Sequence, residues 1–135
     1  MIKGKCLCGS ISFYFTEFKE GISLCHCSNC RRRTGSAYAA TMIAMADGFN
    51  WISGKEKLKT YRSPTGATTT FCSDCGSQVP DAEPIEGIFE SPIYPVPVGT
   101  LEDDPSMFVR EHIYVGSKAH WETIGGDAQQ YNEMD

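Results

Sequence analysis

Cys72-Ser73-Asp74-Cys75-Gly76, read together with Cys6-Leu7-Cys8-Gly9 near the N-terminus, decides the fold. Each stretch puts two thiols on a tight turn that a glycine lets close, because glycine adopts positive φ without a Cβ penalty. Thiols so spaced deliver two sulfurs to one ion, and two such pairs make a tetrahedral four-thiolate site of the structural kind. Cys6, Cys8, Cys72 and Cys75 are therefore the expected ligands of a structural zinc. That ion clips the first strand to the middle of the chain and restricts the unfolded ensemble strongly.

The other cysteines are consecutive in Cys25-His26-Cys27-Ser28-Asn29-Cys30. Seven cysteines is an odd number, which excludes a fully paired disulfide framework and points to metal. Cys25, Cys27 and Cys30 offer three thiolates, and three protein ligands with one open position is the arrangement of a catalytic rather than a structural zinc. The alternative is a closed site completed by another side chain. His26 is the nearest, but between two ligands of an extended segment it points to the opposite side. His112 and His120 cannot be assigned by spacing. Zinc on three thiolates carries a formal charge of about −1, a poor activator of water but a suitable partner for an incoming thiol. Arg31, Arg32 and Arg33 follow directly; they either offset that charge and bind a substrate carboxylate or form a solvated basic face. The expected cofactor is zinc, two ions per chain. No catalytic side chain is assigned beyond the second zinc.

The rest of the chain reads as short strands. Residues 10–16, 22–25, 50–52, 58–62, 68–71 and 112–115 are β-branched or aromatic runs, and residues 38–45 are an apolar run of strand length. Residues 28–34 suit one helical turn closed by Gly35. Six of the seven prolines lie between Pro80 and Pro105 and break the later chain into extended pieces and loops. No helical period is sustained, so the fold class is all-β. Residues 1–125 are expected to form a single zinc-binding β domain and residues 126–135 a polar, loosely held C-terminal tail. Trp51, Trp121 and the aromatics of the first strand read as core.

The length of 135 residues fits one domain, and a hydrophobic content of 41% with 21% charge is an ordinary globular balance. The net charge of −5 argues against non-specific nucleic-acid binding. No apolar stretch approaches the roughly 18 residues of a membrane span, and the first residues carry no signal-like apolar region. The expected compartment is the cytoplasm, where thiols stay reduced.

The sequence resembles the family of glutathione-dependent formaldehyde-activating enzymes, which also contains a centromere protein branch. The resemblance is carried by Cys6-Leu7-Cys8-Gly9-Ser10, Cys25-His26-Cys27-Ser28-Asn29-Cys30-Arg31, Thr34-Gly35-Ser36-Ala37 and Phe71-Cys72-Ser73-Asp74-Cys75-Gly76-Ser77. Pro97-Val98-Gly99-Thr100-Leu101-Glu102-Asp103 and residues 112–121 extend it over almost the whole chain. It implies a small folded tent of short antiparallel strands, an exchange-factor-like zinc-binding fold. It also implies the same division of cysteines and the joining of glutathione to formaldehyde as S-hydroxymethylglutathione. Two features depart from the family pattern: residues 79–94, with three prolines and four acidic residues, and His120, where related sequences carry proline.

The function expected is thus a zinc-dependent carbon–sulfur lyase acting on adducts of a small, glutathione-like thiol and a formaldehyde-like aldehyde, by a zinc-bound thiolate. The alternatives are a non-catalytic zinc-stabilised binding module and a zinc/thiol redox sensor. The expected partner is a small-molecule thiol or thiol adduct, not a membrane and not nucleic acid; oligomeric state is not readable.

Overall fold

Strands form wherever apolar and polar residues alternate, since successive side chains of an extended chain face opposite ways. The computed structural model describes residues 1–134; Asp135, the last residue of the expected tail, lies outside the described residues. Its strands are β1 (Ile2–Lys5), β2 (Ser12–Phe15), β3 (Ile22–Cys25), β4 (Ala39–Met45), β5 (Phe49–Ser53), β6 (Leu58–Arg62), β7 (Thr68–Cys72), β8 (Ile93–Pro97), β9 (Val109–Ile113) and β10 (Gln129–Gln130). One short helix, α1 (Ser28–Thr34), follows β3.

The strands form a three-stranded sheet β1-β2-β5, a five-stranded sheet β10-β9-β3-β4-β8 and the hairpin β6-β7. The all-β class expected from the sequence is the class observed. Most pairings are antiparallel, while β9 runs parallel to both β3 and β10.

The main core lies between the first two sheets. Ile2, Phe13 and Phe15 from one side meet Met42, Ala44 and Val96 from the other, all buried. Phe49 stacks on Tyr94 with ring centroids 4.0 Å apart, and Trp51 meets Phe49 edge-on at 5.1 Å. Phe13 also fixes the β1–β2 register: it pairs with Gly4, where an added Cβ would run into its ring. A second, smaller cluster of Cys6, Ile11, Cys72 and Val79 joins the β6-β7 hairpin to this body.

Three sequence expectations change. β1 and β8 are strands that the pattern did not reveal. β8 carries Pro95 and Pro97 and is tolerated because it lies at the outer edge of its sheet, where a missing N–H costs least. Trp121 is 72% exposed and outside the core, whereas Trp51 packs as expected. Finally, Tyr131 and Asn132 are not loosely held: Val115 N donates to Tyr131 O (3.0 Å), Tyr114 N to Glu133 O (2.9 Å) and Tyr131 N to His112 O (2.9 Å).

Phe13 is fully buried and packs against two rings of β5, Phe49 and Trp51. Phe13→Ala is expected to destabilise the protein by about 3–5 kcal/mol in urea unfolding; a loss under about 1 kcal/mol would contradict its place in the core.

Candidate metal centres and the adjoining cavity

The Cys6, Cys8, Cys72 and Cys75 sulfurs all lie within 4.8 Å of one another. The Cys6–Cys8 separation is 3.7 Å and the Cys8–Cys72 separation 3.9 Å. Four sulfurs at about 2.3 Å from a tetrahedral ion would sit about 3.8 Å apart, so the donor set and its spacing fit a thiolate-bound metal.

The two halves of this group use the same device. In Cys8-Gly9-Ser10 and Cys75-Gly76-Ser77 the glycine has φ of 81° and 80°, a left-handed conformation that turns the chain back. Each serine hydroxyl then lies beside its cysteine, 3.2 Å from Cys8 Sγ and 3.3 Å from Cys75 Sγ. These hydroxyls hold the Cys8 thiol below its ordinary range and bring Cys75 down to about 6. Burial pushes Cys72 up to about 11. The serines were not singled out from the sequence, although the repeated Cys-Gly-Ser triplet was the signal that would have found them. Ile11 N donates to Cys6 Sγ at 3.3 Å, tying the group to the small core.

The second group forms where β3 passes into α1. Cys25 ends the strand, Cys27 is the helix N-cap, its Sγ accepting from Cys30 N at 3.3 Å, and Cys30 is buried in the first turn. Gly35, at φ 66°, closes the helix and donates to Arg31 O. The three sulfurs lie within 4.8 Å of one another, and among the described residues the group stops at three. This donor set too fits a metal.

The three arginines separate. Arg33 Nη2 donates to Cys30 Sγ (3.0 Å) and Nη1 donates to Thr68 O (3.2 Å). The Cys30 thiol is brought down to about 5, first by a hydrogen bond from Cys25 and then by the Arg33 guanidinium, against the effect of burial. Cys25, sharing its hydrogen with Cys30 and partly buried, is pushed up. Arg31 is half-buried with its Nε lacking a partner, and Arg32 is exposed.

His26 points away from the cysteines, as an extended segment requires, and is fully buried. Its Nε2 is 3.0 Å from Nδ1 of buried His112, and burial, then His112, lowers its pKa. The pair locks β3 to β9. His120 is exposed.

Arg33 also lines a cavity of about 240 Å³ between β4 and β7, with Thr34, Thr68, Thr70, Gln78 and Asp81 among its walls. No sequence pattern marks this cavity, since its walls come from distant segments. A wider hollow of about 430 Å³ around Glu17, Phe18 and Asp47 contains no cysteine or histidine and is remote in character from either metal-ligating group. Among the described residues, no helix is long and apolar enough to cross a membrane.

The model of the family described as glutathione-dependent formaldehyde-activating enzyme matches residues 1–117. No curated protein matches the chain. A crystal structure of a Rhodobacter sphaeroides protein is similar with a TM-score of 0.60 and 26% identity, covering 79% of this chain and 98% of that one.

Removing one sulfur from the four-thiolate group should cost the fold its clip. Cys75→Ser is expected to lose one metal equivalent by elemental analysis and its cooperative thermal transition, because structural zinc sites contribute about as much free energy as a small domain's whole stability. Wild-type metal content and Tm in this variant would contradict the assignment.

Proposed function

The chain belongs to the glutathione-dependent formaldehyde-activating family, and on that premise we propose that it is a zinc-dependent carbon–sulfur lyase. Its substrates are a small, glutathione-like thiol and a formaldehyde-like aldehyde, or their adduct. The observation that carries this reading is the asymmetry of the two cysteine groups: four sulfurs in one, three in the other. A closed set suits structure, and a set of three suits reaction.

In the synthetic direction the thiol sulfur attacks the aldehyde carbon. One C–S bond forms, the C=O π bond opens, and the thiol proton ends on the new hydroxyl oxygen. The reverse reaction breaks the same C–S bond. Cys25, Cys27 and Cys30 would hold the zinc, which when bound would supply acidity to an incoming thiol. The chain's own groups do the rest. Arg33 donates to Cys30 and, with its positive charge, offsets the negative charge of the three thiolates. The Thr68 carbonyl holds that guanidinium in place. Arg32, exposed on the same helix, is available to a substrate carboxylate. The buried His26–His112 pair belongs to neither cysteine group. Seven free cysteines suit a reducing, cytoplasmic setting.

Cys27→Ser tests this directly. Serine is as good an N-cap as the cysteine it replaces, so α1 should persist. The variant is expected to keep its fold and the first metal, lose the second, and show only the uncatalysed rate of thiol–aldehyde addition by NMR. Retained turnover after clean loss of the second metal would sink the mechanism.

A further inference from the structure

The 240 Å³ cavity beside Cys30 contains two charged residues of opposite sign, Arg33 and Asp81. Both are fastened to β7, Arg33 to the Thr68 carbonyl and Asp81 to the Thr70 hydroxyl, which donates to Asp81 Oδ1 at 2.7 Å. Thr70 is itself buried and fixed by Thr60 at 2.8 Å, so the carboxylate is held rigidly. Thr68 and Thr70 are two residues apart on an extended strand, about 7 Å. Arg33 and Asp81 form no ion pair with one another, and Asp81 takes part in none among the described residues. Arg33, by contrast, already serves Cys30 and Thr68. One hydrogen-bonded carboxylate therefore faces a small cavity without a cationic partner, next to the cysteine group.

We propose that Asp81 is a specificity-determining residue that accepts hydrogen bonds from an ammonium group of the thiol substrate, with this cavity as the ammonium end's binding site. The substrate class is an aminothiol, a small thiol carrying a cationic nitrogen. The assignment rests on the thiol reading above. The cavity is smaller than the roughly 300–1,000 Å³ of drug-sized sites, which fits one end of a small molecule. A charge-assisted hydrogen bond to a prepositioned carboxylate discriminates against the same ligand lacking the ammonium, whose loss leaves Asp81 desolvated and unpaired.

The test uses the metal-loaded full chain and Asp81→Asn, which keeps an oxygen for Thr70. Isothermal titration compares S-methylglutathione, whose sulfur is capped, with its analogue lacking the amino group. The wild type is expected to bind the ammonium form at least about tenfold more tightly. Asp81→Asn should bind both equally, with metal content and Tm unchanged. Equal affinities in the wild type, a preference that survives in Asp81→Asn, or no measurable binding of the ammonium form overturns the assignment. Free glutathione, titrated into wild type and Cys27→Ser, examines the thiol reading separately. A gain over the S-methyl form that vanishes in Cys27→Ser supports that reading. No such gain removes it while the Asp81 result stands.

Discussion

The gathering of Cys6, Cys8, Cys72 and Cys75 is the constraint on which the remaining structure depends. Cys8 and Cys72 are 64 residues apart in sequence yet have sulfurs 3.9 Å apart. The β6-β7 hairpin has little apolar surface of its own, since β6 is exposed along nearly its whole length. What holds it to the three-stranded sheet is this group and the small cluster of Ile11 and Val79 around it. Ordering each residue costs on the order of 1–2 kcal/mol, and a hairpin of this kind is marginal alone. A metal held by these sulfurs would replace a core that the hairpin cannot build.

Placing the hairpin also places the side of the molecule that carries the second cysteine group. β7 ends in Cys72, and two to four residues earlier its Thr68 and Thr70 receive Arg33 and hold Asp81. The four-thiolate group thus positions the wall against which Arg33 is braced, and Arg33 in turn meets Cys30. The facing wall is β4, which lies between β3 and β8 in the five-stranded sheet. One cysteine group joins the hairpin to the body, and the other lies across from the strand that this hairpin supplies.

The parts of this architecture that sequence could express are local. Both cysteine groups were legible because short spacings on turns bring sulfurs together whatever the rest of the chain does. The helical turn before Gly35 and the strands around Phe13, Thr60 and Thr70 were legible for the same reason. β8 was hidden by Pro95 and Pro97, which argue against a strand unless one knows that it lies at an edge. The parallel pairing of β9 with β3, the His26–His112 contact and the Asp81–Thr70 bond join segments that no periodicity connects. Trp121 reads as core from sequence yet is exposed, because an aromatic residue carries the same hydrophobic signal whether it is packed or not.

The central claim is that two zinc ions are held unequally, by four sulfurs and by three. X-ray absorption at the zinc edge, on protein loaded with two equivalents and free of added thiol, measures this most directly. The account predicts a mean of about 3.5 sulfurs per zinc at about 2.3 Å, with the balance from lighter atoms, rising to about 4 when glutathione is added. One zinc per chain, or a full set of four sulfurs on both ions before any thiol is present, would contradict it.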